Sequence, residues 1–408
     1  MKRLAIVLTA LLLSATVVPP AMGQTSRSAY NGTHVSFETA DNAVTNYTVD
    51  GAQTFSSVTV QSQSSAKSGG LLGAGTSLSA VTTLNASVVS LDARTNASAT
   101  VEARNGATLT AHDNGHGILL VEPGNSSQYV LANLSNGANA SAAGNSQVSV
   151  TTANGTKGTF LVVGAGNVTV NKNGDVAAKL GKDGRLVFRA YPDGKDDGDE
   201  KQEKLIADGK AKAEAYVMTE GKNTVVDTVS YGQNTTVEAK QTGAGAVNVT
   251  VDRAANEGTV VITSVSRKVM NASEDLEVRV SGEAKAAVRA STYTQLRSAV
   301  GSERSRYLVE SAGSENAQAD ANAEILVAVN HFSKRTISMQ AASPAQGTTT
   351  SDDTTTSGDE TTADDSGTTN SGGDTTGEID GSSGTIPGFT PITAVVALLA
   401  AALLARLR

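Results

Sequence analysis

Four histidines and no cysteine set narrow limits on the chemistry open to this chain of 408 residues. The densest group of reactive types is His112-Asp113-Asn114-Gly115-His116. If Asn114-Gly115 turns a hairpin, His112 and His116 face each other across it and could share a transition metal, which imidazole nitrogens bind well. Two ligands without a third acid or histidine in register do not make a site, so the expected state is a solvated turn. A second group, Asp193, Asp196, Asp197 and Asp199, could offer carboxylate oxygens to Ca²⁺. Set against an EF-hand loop starting at Asp193, position 3 is Lys195 and position 12 is Lys204, and both break the pattern. The expectation there is a solvated interdomain turn feeding a helix. No Gly-x-Ser-x-Gly elbow, His-Glu-x-x-His, P-loop or dinucleotide fingerprint occurs. Without cysteine there is no thiol catalysis and no thiolate metal site. The sequence therefore predicts no cofactor, no metal and no enzyme.

The elements around these groups read as mainly strand. Only 14 residues are aromatic and none is Trp, so cores of Val, Leu, Ile and Ala are expected. Short β-rich runs at 168–170, 176–180 and 186–190 are separated by Asn173-Gly174 and Asp183-Gly184, dipeptides that suit type I′ hairpin turns. Similar punctuation between residues 80 and 192 predicts a β-sandwich or a β-solenoid. Residues 24–79, rich in Ser and Gly, read as a less ordered N-terminal segment. An acidic loop or linker is expected at 193–203. A helix follows over 199–208, with acids in its first turn and Gly209 beyond its end. Ala211, Ala213, Ala215 and Val217 then alternate with Lys210, Lys212, Glu214 and Tyr216, a period-two strand. Residues 204–343 are read as a second β-rich domain with one or two short helices, the later one near 293–308.

The two ends carry addresses. Lys2-Arg3, the apolar run 4–18 and the small residues Ala21 and Gly23 predict a secretory signal peptide over 1–23. Residues 344–385 hold 13 Thr, 8 Gly and nine acids with a single large apolar residue, which predicts a disordered tether. After it come Pro387-Gly388-Phe389, an apolar run that counts as a marginal transmembrane helix, and the basic end Arg406-Leu407-Arg408.

This tail, over 386–408, resembles the archaeal PGF-CTERM sorting signal of haloarchaeal-type surface glycoproteins. The resemblance is confined to the tail and its spacer. It implies an archaeosortase-like processing enzyme that cuts near Pro387-Gly388-Phe389 and attaches a lipid, and a body held at the plasma membrane through its C-terminus. Haloarchaeal proteins are usually acidic throughout, whereas here the acid is concentrated in the tether.

Sequons occur at Asn31, Asn46, Asn85, Asn96, Asn125, Asn133, Asn139, Asn154, Asn167, Asn234, Asn248 and Asn271, twelve in all. The Ser/Thr content of the body would give about five, so N-glycosylation is expected. Between the two ends, 31 acids face 28 bases, and no basic patch points to nucleic acid. The function expected is a non-enzymatic cell-surface glycoprotein, an S-layer component or S-layer-associated, with other cell-envelope glycoproteins as partners. A surface adhesin or ligand-binding protein is the alternative, and a secreted carbohydrate-active enzyme the third reading.

Overall fold

Alternation of buried and exposed residues, such as Val35, Phe37 and Thr39 buried within Val35–Ala40, sets most strands as half-buried β-structure. The computed structural model describes residues 28–68, 76–85, 89–254, 257–270, 276–311, 322–330 and 334–341. The signal peptide, the tether, the sorting tail with Pro387, Gly388 and Phe389, and the sequon at Asn271 lie outside the described residues. All described residues belong to one compact unit.

Two antiparallel sheets form a first sandwich, which answers the choice between sandwich and solenoid. The first sheet runs, in spatial order, Ala29–Asn31, Val35–Ala40, Ala43–Val49, Ala52–Ser62, Gln128–Leu134, Val176–Leu180 and Gly166–Val170. The second runs Asn139–Ala143, Gln147–Thr151, Lys157–Val163, Arg185–Tyr191, Leu119–Glu122, Thr108–His112, Ser98–Ala103 and Val89–Arg94. The described residues within 24–79 are thus not a loosely ordered preface: their strands make up four of the seven in the first sheet. They also supply the rings of its core. Tyr30, Phe37, Tyr47 and Phe55 stack in succession, with centroids 5.6, 6.2 and 4.8 Å apart, and Phe55 meets Phe160 and Phe188 of the second sheet. The remainder of this core is aliphatic, as expected, built from Val, Ala and Leu, with the scarce aromatics gathered between the two sheets. Burying each such ring stabilises by about 1.5–3 kcal/mol.

A second pair of sheets follows. The third runs Asn223–Ser230, Ala211–Glu220, Thr259–Ser266, Asn322–Val329, Arg306–Ser311 and Val288–Arg289, with Ala211–Glu220 parallel to Thr259–Ser266. The fourth runs Thr235–Gly243, Ala246–Arg253, Lys334–Ala341 and Leu276–Val280 and covers the third through Val249, Val278, Ile337 and their neighbours.

The two sandwiches share a core. Ile118, Leu120, Leu161 and Val187 on the outer face of the second sheet pack against Tyr216, Met218, Ile262 and Leu326 of the third. Helices add to this layer. Of the three α-helices among the described residues, α1 (Gln63–Ser68), α2 (Asp197–Ala207) and α3 (Tyr293–Ala299), the last two insert Leu205, Ile206 and Leu296 between the sheets. The second and third sheets are therefore covered on both faces, and every residue of Thr259–Ser266 is buried.

Several local expectations change. The segment 193–203 is no free linker, since α2 begins within it and buries Gln202 and Glu203 against the sheets. Its cap is Asp196, which exchanges hydrogen bonds of 2.9 Å with Asp199 in a capping box, so the helix starts two residues before the expected 199. The later helix is seven residues long rather than 293–308, because Val300 is extended and Gly301 takes φ +80°. The Asn-Gly turns are not type I′. Gly174 takes φ +86° while Asn173 stays outside the left-handed region, and Gly174 N–H donates to Asn171 O, a type I turn closed by a bulge glycine.

Candidate functional site

The His112–His116 segment is the connection between Thr108–His112 and Leu119–Glu122, and it is buried rather than solvated: His112 is 5 % exposed, Asp113 1 % and Asn114 0 %. Neither Asn114 nor Gly115 has positive φ, so no tight hairpin forms and the two histidines diverge. The loop fits because the second sheet is sandwiched, leaving its strand ends facing neighbours on both sides.

The polar residues of the loop engage the first sheet on one side and the third on the other. Asp113 turns toward the first sheet and accepts the backbone N–H groups of Thr33, His34 and Val35 at 2.6, 2.7 and 2.6 Å. These three donors converge because residues 32–34 turn between two strands, forming an anion-binding concavity. Gly32 is obligatory there, since a Cβ would lie 1.9 Å from Asp113 Oδ2. His112 turns the other way, with Nδ1 2.9 Å from Oδ1 of Asp227 in the third sheet, while Asn114 donates to Asp227 Oδ2 at 2.8 Å. His112 is therefore a structural partner of an aspartate and does not share a ligand position with His116.

His116 enters the layer between the second and third sheets. Its ring lies edge-on to Tyr191 and Tyr216, 5.3 and 6.1 Å between centroids. Nδ1 lies 3.2 Å from the Ala190 carbonyl, to which it can only donate, and this aims Nε2 at Glu324 Oε1, 3.6 Å away. Asp199 of α2 completes a group whose ligand atoms all lie within 4.8 Å of one another. Burial pushes Asp199 above its ordinary value, with the Asp196 N–H and the His116 charge opposing. Burial also pushes Glu324 up, but contact with His116 and the Gln202 donor outweigh it and hold the carboxyl below its ordinary value. The two acids of one site are thus driven apart, one reluctant to ionise and one readily ionised.

Around this group the buried charges are paired. Arg189 and Glu214, both fully buried, form an ion pair across the two sheets, and Tyr216 also donates to Glu214. Burial opposes the Arg189 charge, yet Glu214 and the surrounding tyrosines keep it well above its ordinary value. Lys195 meets Glu203 at 2.6 Å, and Tyr191 donates to the same carboxylate at 2.6 Å.

Of the expected ligand candidates, the fold brings together His116 and Asp199, one from each sequence cluster. Asp193, Asp196 and Asp197 remain exposed on the surface and His112 is engaged elsewhere. Glu324, Gln202, Arg189 and Glu214 were missed. The one signal for Glu324 was a lone acid inside the run of small and apolar residues Asn322–Val329, and for Glu214 its place between Ala213 and Ala215.

The sequon asparagines occupy the periphery. Asn31, Asn46, Asn85, Asn96, Asn125, Asn139, Asn154 and Asn234 are exposed, and Asn133, Asn167 and Asn248 are half-buried. The two asparagines that are buried among the described residues, Asn114 and Asn171, are not in sequons.

The PGF-CTERM motif matches residues 386–408. The tail is a sorting signal. It marks a C-terminally anchored archaeal surface protein, with archaeosortase processing and membrane anchoring to follow. No curated protein matches the chain. Among the described residues no helix is long and apolar enough to cross a membrane.

Proposed function

We propose that this chain is a non-enzymatic surface glycoprotein, a component of the S-layer or a protein associated with it, standing on its tether above the membrane. The observation that carries the reading is the sorting motif at 386–408 behind a body whose described sequons all lie outside the core. Four sheet layers, spaced by about 10 Å each, make a stiff body in which motion between the sandwiches is opposed by a common apolar layer. Buried acids and bases supply further support, since Arg189, Glu214, Asp113 and Asp227 are occupied in joining sheets. Neighbouring envelope glycoproteins are the partners this reading implies.

The test is made on cell envelopes. The mature protein should co-purify with the envelope lattice at comparable abundance, its C-terminal peptide should end near Pro387-Gly388-Phe389 with a lipid attached, and deleting the gene should disturb the lattice seen by electron microscopy. A low-abundance protein whose loss leaves the lattice intact but abolishes attachment to a surface or ligand would replace this reading with an adhesin.

A further inference from the structure

We propose that His116, Asp199 and Glu324 bind a divalent transition metal, with Zn²⁺ the preferred ion, and that this ion clamps the two sandwiches together. The ligands come from three separate parts of the fold. His116 belongs to the loop closing the second sheet, Asp199 to the first turn of α2, and Glu324 to the Asn322–Val329 strand of the third sheet. None of these placements depends on the function proposed above.

The spacing leaves room for an ion between the side chains. The 3.6 Å between His116 Nε2 and Glu324 Oε1 is too long for a hydrogen bond. It is close to the span of about 3.4 Å between two ligands of a tetrahedral ion with bonds near 2.1 Å. Asp199 must approach by up to about 1.4 Å to meet that span from the observed limit of 4.8 Å, a shift within reach of a side-chain rotation.

Each ligand is already oriented by a second partner, as metal ligands usually are. His116 Nδ1 donates to Ala190 O at 3.2 Å, which orients the ring and leaves Nε2 as the nitrogen that would take an ion. Asp199 Oδ2 accepts Asp196 N–H at 2.9 Å, leaving its second oxygen for an ion. Glu324 Oε2 accepts the Gln202 amide, leaving Oε1 facing His116.

Charge points the same way. Arg189 is matched by Glu214 and Lys195 by Glu203, so the two carboxylates of the cluster face a single imidazole. A dication on two carboxylates and a neutral imidazole leaves the site neutral. One nitrogen and two oxygens suit Zn²⁺ better than Ca²⁺, which takes six to eight oxygens. The fourth position is left for water, and the His116 and Glu324 side chains are 17 and 12 % exposed, which gives an ion a way in.

The test uses the full-length protein, stripped with chelator and titrated with ZnCl₂ and CoCl₂ by calorimetry and visible spectroscopy. Expected are one ion per chain, Co²⁺ d–d absorption of low-symmetry, four-coordinate type, and a melting temperature raised by about 5 °C or more at a hundredfold excess over Kd. Glu324→Gln and His116→Gln should each abolish all three signals, while Asp193→Asn, in the exposed acidic turn, leaves them intact. Glu324→Gln keeps an oxygen for the Gln202 amide, so it is expected to fold. Absence of saturable binding to the unsubstituted protein would overturn the site, as would binding that survives both Gln variants. Equal stabilisation by CaCl₂ at the same ionic strength would overturn the assignment to a transition metal.

Discussion

Arg189 on the outer face of the first sandwich and Glu214 on the facing sheet of the second form an ion pair in which neither side chain is exposed at all. A pair this deep is held in place by what its loss would leave behind, one uncompensated charge in a dry interface.

Glu214→Gln should therefore destabilise the protein by roughly 3–5 kcal/mol. Replacing Arg189 and Glu214 together, by Met and Leu, should recover most of that loss, because the layer around them is apolar and Arg189 Nε has no hydrogen-bond partner. Denaturant unfolding of the two variants checks the order. A double variant weaker than the single one would show that the charges themselves hold the sandwiches together.

Asp113 and Gly32 should behave as one unit. Asp113→Ala strands three backbone N–H groups, at about 1–3 kcal/mol for each that water fails to reach. Gly32→Ala drives a methyl into the same carboxylate. Both variants should loosen the turn at 32–34, and the double variant should cost much less than the sum of the two. Unfolding free energies of the three proteins, with proteolysis at the N-terminal hairpin, measure this.

His34 supplies a pH-dependent contribution of known sign. Its ring lies 2.9 Å from Asp50, and this hydrogen bond, opposed by burial and aided by the Asp50 charge, raises it above its ordinary 6.5. A group whose folded value is raised stabilises fully below the unfolded value and loses that stabilisation as pH climbs through the folded one. His34→Gln should thus cost more stability at about pH 5.5 than at about pH 8.5. With the side chain 31 % exposed, the difference should stay below about 1 kcal/mol. A cost that grows with pH would reverse the assignment.

Glycopeptide mass spectrometry of native material should find glycans chiefly on the eight exposed sequons, Asn31, Asn46, Asn85, Asn96, Asn125, Asn139, Asn154 and Asn234. Asn133, half-buried and donating to Ser57 Oγ at 2.8 Å, should be occupied least. Twelve bare sequons would reduce their excess to composition.

Local chemistry made some features legible in the sequence and hid others. The sorting tail was readable because its signal is a contiguous string, and α2 because caps and first-turn acids act within a few residues. Strand content was readable from period-two patterning, and so was the tight-turn role of the Asn-Gly steps, though not their type, which depends on how the flanking strands twist.

The partnerships of His112, His116 and Glu214 were decided by the tertiary structure alone. Period-two patterning says which residues share a face of a strand, but not whether that face meets water or another sheet. Glu214 alternates with alanines as a solvent-facing residue would, yet the second sheet covers it completely. The histidines stand four residues apart, but the loop between them sends one to Asp227 and the other to Glu324. Those partners lie 115 and 208 positions away along the chain, beyond the reach of any local pattern, and only the stacking of two sandwiches through a common layer brings them face to face.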